Sequence, residues 1–172
     1  MSLRFLAEYA ENALLALDLA RKEVSHLRYS HSTLFVHSID SAWVLQLASR
    51  EDLAEKVEAF VSRFGRLQDH IGEKLLPRFA ALLDESPKSL LDVLAYAEKM
   101  EWVECAEEFV GARKLRNLLV HEYRSDAEQF LQALMAAREA SEMLFGIVRS
   151  VEAQALVFGL ADQSNNSRDA QA

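Results

Sequence analysis

The residues best suited to chemistry lie close together. Between Gly111 and Arg124 the chain carries Arg113, Lys114, Arg116 and Arg124 against a single acid, Glu122. Arginine presents a planar fork of donors that fits phosphate oxygens. Histidine is the side chain best placed to move protons near neutral pH. A phosphodiester gripped by Arg116, with His121 as base or acid toward a ribose hydroxyl or a leaving oxygen, is an RNA-cleaving arrangement. It needs no metal, because the ribose 2′-hydroxyl serves as nucleophile. Asn117 would orient the phosphate or the imidazole, and Arg113 would add a second cation. Tyr123 would stack on a base or donate a hydrogen bond.

Helical geometry sorts these residues. With Arg116 at zero and about 100° per residue, Tyr123 falls at roughly −20°, Val120 at 40°, Arg113 at 60°, Arg124 at 80°, Asn117 at 100° and His121 at 140°. Leu118, Leu115 and Leu119 fall at roughly 200°, 260° and 300°. One face is expected to pack, and the other to present the polar and cationic groups. A second reading of that polar face is open. Basic residues near a helix C-terminus oppose its dipole, and they form ion pairs with acids on a neighbouring helix.

The rest of the chain is acidic. Across 172 residues there are 27 acids and 19 bases, a net charge of −8. The Gly111–Arg124 segment is itself about +3, which leaves about −11 elsewhere. Averaged over its length, such a chain is a poor nucleic-acid binder, because phosphate attraction dominates affinity. The cationic segment is the local exception.

The elements that must position it are helical. Glycine (5) and proline (2) are scarce, while 51% of residues are apolar, a composition for long helices around a core. Residues 3–29 read as a first helix with Leu6, Ala10, Leu14, Leu17 and Val24 in a stripe. Ser30, Ser32 and Ser38 break the pattern over 30–48, where Asp40 or Ser41 caps a short helix holding Trp43, Val44 and Leu47. Ser49 and Asp52 look like a capping box. The long helix that follows, roughly 50–84, holds Phe60, Phe64, Leu67 and Ile71, and Pro77 should kink it or end its regular bonding near Glu73. Ser86 and Pro87 signal another start, with that helix ending near Met100. A helix over 105–123 precedes one capped by Ser125, with Glu128 three residues on, that runs to about Gly159. The polar tail over 161–172 is expected to be disordered. The fold class is therefore all-α: one domain over 1–160, an antiparallel bundle of five or six helices.

Several chemistries are not signalled. No phosphate-binding glycine loop is present, and Gly65 and Gly72 are isolated. The histidines (His26, His31, His37, His70, His121) lack the i, i+4 pairing of a helical zinc site, and His26 to His37 are expected to be solvated. The expectation is thus of no metal and no cofactor. Cys105, the sole cysteine, reads as a partly buried thiol in a reducing compartment. No signal peptide and no run of roughly 18 uncharged apolar residues is evident, so a cytoplasmic protein is expected, without a membrane partner.

Arg116, Asn117, His121 and Tyr123 together read as Arg, four residues, His, one residue, Tyr, with Asn directly after the Arg. This closely resembles the motif of the HEPN superfamily, in particular its HepT-like branch. Phe64–Asp69, Leu75–Pro77 and Leu94–Lys99 resemble the usual run-up, so that the likeness covers roughly residues 50–150. The resemblance implies a homodimer whose motif helices line one composite cleft. It implies an endoribonuclease toxin paired with a minimal nucleotidyltransferase antitoxin, with Arg116 and His121 catalytic. It also implies nucleotide transfer to Tyr123, which blocks the site by adding bulk and negative charge where RNA phosphate would sit. Some proteins of this kind are instead non-catalytic substrate-binding partners of a nucleotidyltransferase. Asp69 is expected to be a solvated carboxylate on its helix face, the alternative being an acid supplied to the cleft.

Overall fold

The computed structural model describes residues 4–121 and 126–160, the side chain of His121 excepted. The fold is all-α, and among the described residues there is no strand. A 3₁₀ turn, Ala7–Tyr9, leads into α1 (Ala10–Leu34). Then come α2 (Ser41–Gln46), α3 (Glu51–His70), a single π-helical turn (Ile71–Leu75), α4 (Leu76–Leu82), α5 (Leu90–Lys99), α6 (Ala106–His121) and α7 (Ala127–Val157). None of these helices is long and apolar enough to cross a membrane.

The α-carbon packing divides into two compact units. One comprises, among the described residues, those up to Arg21, His70–Ala106 and 146–160. In it the first part of α1 runs antiparallel to the chain from His70 to Leu82. The Leu6 amide bonds to the Leu82 carbonyl at 2.8 Å. Arg78 reaches the Asn12 carbonyl at 3.3 Å and His70 the Ala16 carbonyl at 2.7 Å, so partners ascend on one helix as they descend on the other. Phe79, Leu94 and Val151 are fully buried there. Trp102 packs edge-on against Phe79 and Tyr96 and donates its indole N–H to Gln154. Burial, and then the Glu85 charge, pushes the Tyr96 phenol above its ordinary range.

The second unit comprises Lys22–Asp69 and Glu107–Phe145. Its core holds Leu27, Leu34, Phe60, Phe64, Phe109, Phe130 and Leu144. Here α1 and α3 are again antiparallel, since Arg66 faces Glu23 while Arg63 bonds to Ser30. α1 and α7 are also antiparallel. Arg28 stacks on Phe145 at 4.4 Å, and Arg138 stacks on Phe35 at 5.3 Å.

Local chemistry moves several helix boundaries from their expected places. α1 continues to Leu34 because Ser32 and Thr33 donate back to the Tyr29 carbonyl at 2.9 and 3.0 Å, satisfying their hydroxyls inside the helix. His31 and His37 are half-buried rather than solvated, and their rings pack on Phe35 and Trp43. Asp40 does cap α2, accepting from the Trp43 amide at 2.8 Å. Ser49 does not cap α3; its hydroxyl donates to Gln46, and Asp52 is held by Arg50. α5 is capped by Ser89, which accepts from the Asp92 amide, rather than by Ser86. Asp126 caps α7 by accepting from Gln129, and Glu128 instead accepts from Ser41. The expected Ser125 cap and the tail over 161–172 lie outside the described residues.

Pro77 acts as its chemistry requires. It has no N–H, and its ring crowds the carbonyl four residues back. The helix widens just before it, with the Leu76 amide bonding five residues back to Ile71. The scarcity of glycine also has a structural counterpart. α4 and α5 both end in a left-handed residue closed by a 6→1 bond, but Asp84 and Glu101, each at φ 60°, occupy the place that glycine usually takes.

Candidate active site

α6 supplies the site. It starts with acids in its first turn, Glu107 and Glu108, which favour the helix N-terminus. Phe109, Ala112 and Leu119 are its buried positions, at 0%, 1% and 3% exposure. That stripe is centred close to Arg116 rather than opposite it. Leu115 and Leu118, expected at the centre of the packed face, are only half-buried. The difference has a specific cause on α3.

The cause is Gly65. A Cβ placed there would lie 2.5 Å from Arg116 Nε and 2.9 Å from its Cζ. Any side chain at this position would occupy the space of the guanidinium. Glycine inside an amphipathic helix costs about 1 kcal/mol relative to alanine, and here it makes room for a cation in the packed face. One turn further along α3, Asp69 Oδ1 accepts from Arg116 NH1 at 2.6 Å. Asp69 is thus an ion-pair partner rather than a solvated carboxylate. Gln68, fully buried between them, donates to the Ala112 carbonyl at 3.1 Å and fixes α6 against α3.

The pair is not sealed. The side chains of Arg116 and Asp69 keep 36% and 34% of their accessible surface. The Asp69 bond uses NH1 alone, and a guanidinium carries five N–H donors, so the pair does not exhaust the hydrogen-bonding capacity of Arg116. Asn117 is exposed, Arg113 is half-buried, and Val120 is 54% exposed. The structure therefore gathers Arg116, Asn117 and Arg113 on one stretch of α6. His121 is the last residue of that helix. Tyr123 lies outside the described residues.

Comparison of the chain with protein-family models, curated proteins and solved structures finds no match. The chemical reading thus rests on the residues themselves.

Gly65 and Asp69 are the neighbours of Arg116 that motif spacing alone does not point to. A signal for both was present. A glycine within a strongly amphipathic helix implies a close approach, and an acid four residues on lies on the same face.

A groove of about 400 Å³ opens beside the site between α6 and α7. Gly111, Ala112, Leu115, Ala140 and Met143 line it, and Glu108 and Glu139 stand at its edge. A Cβ at Gly111 would meet nothing within 4 Å.

Proposed function

We propose that this chain is a metal-independent endoribonuclease that acts as a homodimer. It is the toxin of a HEPN-type pair whose antitoxin is a minimal nucleotidyltransferase. One observation carries the reading. Arg116 is held over a glycine and tethered by Asp69, with a third of its side chain open, on the helix that ends in His121. An arginine kept inside a helix interface yet accessible is preorganised to stabilise charge on a phosphoryl group.

The 2′-hydroxyl attacks the phosphorus, the bond to the 5′-oxygen breaks, and a cyclic phosphate and a free 5′-hydroxyl result. Arg116 offsets the charge gathering on the phosphoryl oxygens. Imidazole at position 121 takes the proton from the 2′-hydroxyl or delivers one to the 5′-oxygen. Asn117 and Arg113 hold the phosphate in register. Nucleotide transfer to Tyr123 adds a charged group two residues beyond His121 and shuts the site.

A second copy is supported by the charge order of α6. Glu107 and Glu108 stand at its start, and Arg113, Lys114 and Arg116 stand at and after its midpoint. Two such helices packed antiparallel about a twofold axis place acids against bases by symmetry. On one helix Arg116 and His121 are roughly 140° apart, and a dimer brings two sets to one cleft.

The test is incubation of purified protein with cellular RNA in chelator, alongside His121→Ala. Cleavage by the wild type and none by the variant is expected. Equal cleavage by both, or by neither, removes the nuclease reading. Modification of Tyr123 without cleavage, seen by mass spectrometry after co-expression with the transferase, would favour the non-catalytic partner role.

A further inference from the structure

The exposed side of α3 carries a second set of groups, between its contact with α1 and its contact with α6. Arg63 marks the α1 side. It donates to the Ser30 hydroxyl at 2.8 Å and to the His26 carbonyl at 3.1 Å. Gly65 and Asp69 mark the α6 side, under Arg116. Helical spacing puts Arg66 and Ser62 on the arc between them, and both are exposed.

Two features of this arc are what a nucleic-acid strand uses. Tyr29 is 66% exposed, an unusual position for a large ring. The Arg63 guanidinium stands 6.0 Å from the ring centre, at the outer reach of a cation–π contact. Arg66 is held loosely. Its nearest carboxylate oxygen, on Glu23, is 3.7 Å away, and its side chain keeps 54% of its accessible surface. Glu23 faces Arg66 and Asp69 is paired with Arg116, whereas Arg63 bonds to a hydroxyl and a carbonyl. Among these groups one cation is in excess, and the exposed acids Glu55 and Glu58 lie further along α3.

We propose that this arc is a subsite for the single-stranded RNA flanking the phosphodiester held by Arg116. Arg66 takes the neighbouring phosphate, and Tyr29, beside Arg63, stacks on a base. Base stacking on an aromatic ring beside a cationic track is the general mode of single-strand binding. The inference rests on the reading of Arg116 as a phosphate ligand, so its test separates binding from cleavage.

The probe is a fluorescein-labelled oligomer of about ten 2′-O-methyl nucleotides, which lacks the attacking hydroxyl, followed by anisotropy. Tyr29→Ala is expected to weaken binding about tenfold, and Tyr29→Phe to restore it. Arg66→Ala is expected to weaken binding and to lower the salt slope by about 0.7. With unmodified RNA both variants raise KM and leave kcat unchanged. Wild-type affinity and salt slope in both Tyr29→Ala and Arg66→Ala would overturn the subsite, and so would a wild-type protein that does not bind the oligomer. Variant-sensitive binding by a protein that cuts no RNA would remove the nuclease reading and keep the subsite.

Discussion

Asp69 and His70 are consecutive residues of α3, and each reaches out of its helix to a neighbour. His70 is only 9% exposed, and its Nε2 lies 2.7 Å from the Ala16 carbonyl. Asp69 makes an equally short bond to Arg116, at 2.6 Å, but about a third of each partner stays open. The first contact excludes water, so removing the imidazole leaves buried polar surface unmatched. The second is exchangeable, because solvent or an incoming anion replaces either partner at little loss to the fold. A polar reach across a helix interface is thus cement when sealed and exchangeable when left ajar. Gly65 keeps the second one ajar, since it gives the guanidinium a place to lie without burying it.

The comparison can be broken most sharply at Arg116. Arg116→Ala is expected to lower RNA cleavage by at least about a hundredfold, with the thermal unfolding midpoint almost unmoved. A large fall in the midpoint would place Arg116 in the same class as His70. The converse test is His70→Ala, expected to destabilise the protein by about 2 kcal/mol in chemical denaturation while leaving kcat intact. Asp69→Asn keeps an acceptor and removes a charge. Stability should shift by less than about 1 kcal/mol, and oligonucleotide binding at low salt should tighten. The smallest effect is expected at Glu101→Gly. It relieves a left-handed residue at the end of α5 and should stabilise the chain by about 0.5–1 kcal/mol, with RNA cleavage unchanged.

Much of the fold was legible because its signals are local. Leucine and phenylalanine at helical spacing, the Asp40 cap and the disruption by Pro77 each depend on a few neighbouring residues. The boundaries that moved did so where several residues compete for one role. Ser86 and Ser89 are both cap types, and Ser49 satisfied its hydroxyl backward on Gln46 instead of forward. The candidate site stands in the sequence as a motif, but its surroundings do not. Spacing placed Arg116 on the free face of α6, whereas the missing side chain of Gly65, on another helix, draws it into the packed one. Periodicity along one helix carries no information on which gap a neighbour leaves. For the same reason Asp69 was legible as an acid but not as the partner of Arg116.

Gly65→Ala tests the central claim most directly. The added methyl group displaces only the flexible end of Arg116, and alanine favours the helix by up to about 1 kcal/mol. Unfolding and RNA cleavage measured on the same preparation should then diverge. The account predicts stability at or slightly above that of the wild type, with cleavage reduced by about a hundredfold or more. A Gly65→Ala protein that cleaves RNA as the wild type does would contradict it, because the position of the Arg116 guanidinium would then have no bearing on the chemistry.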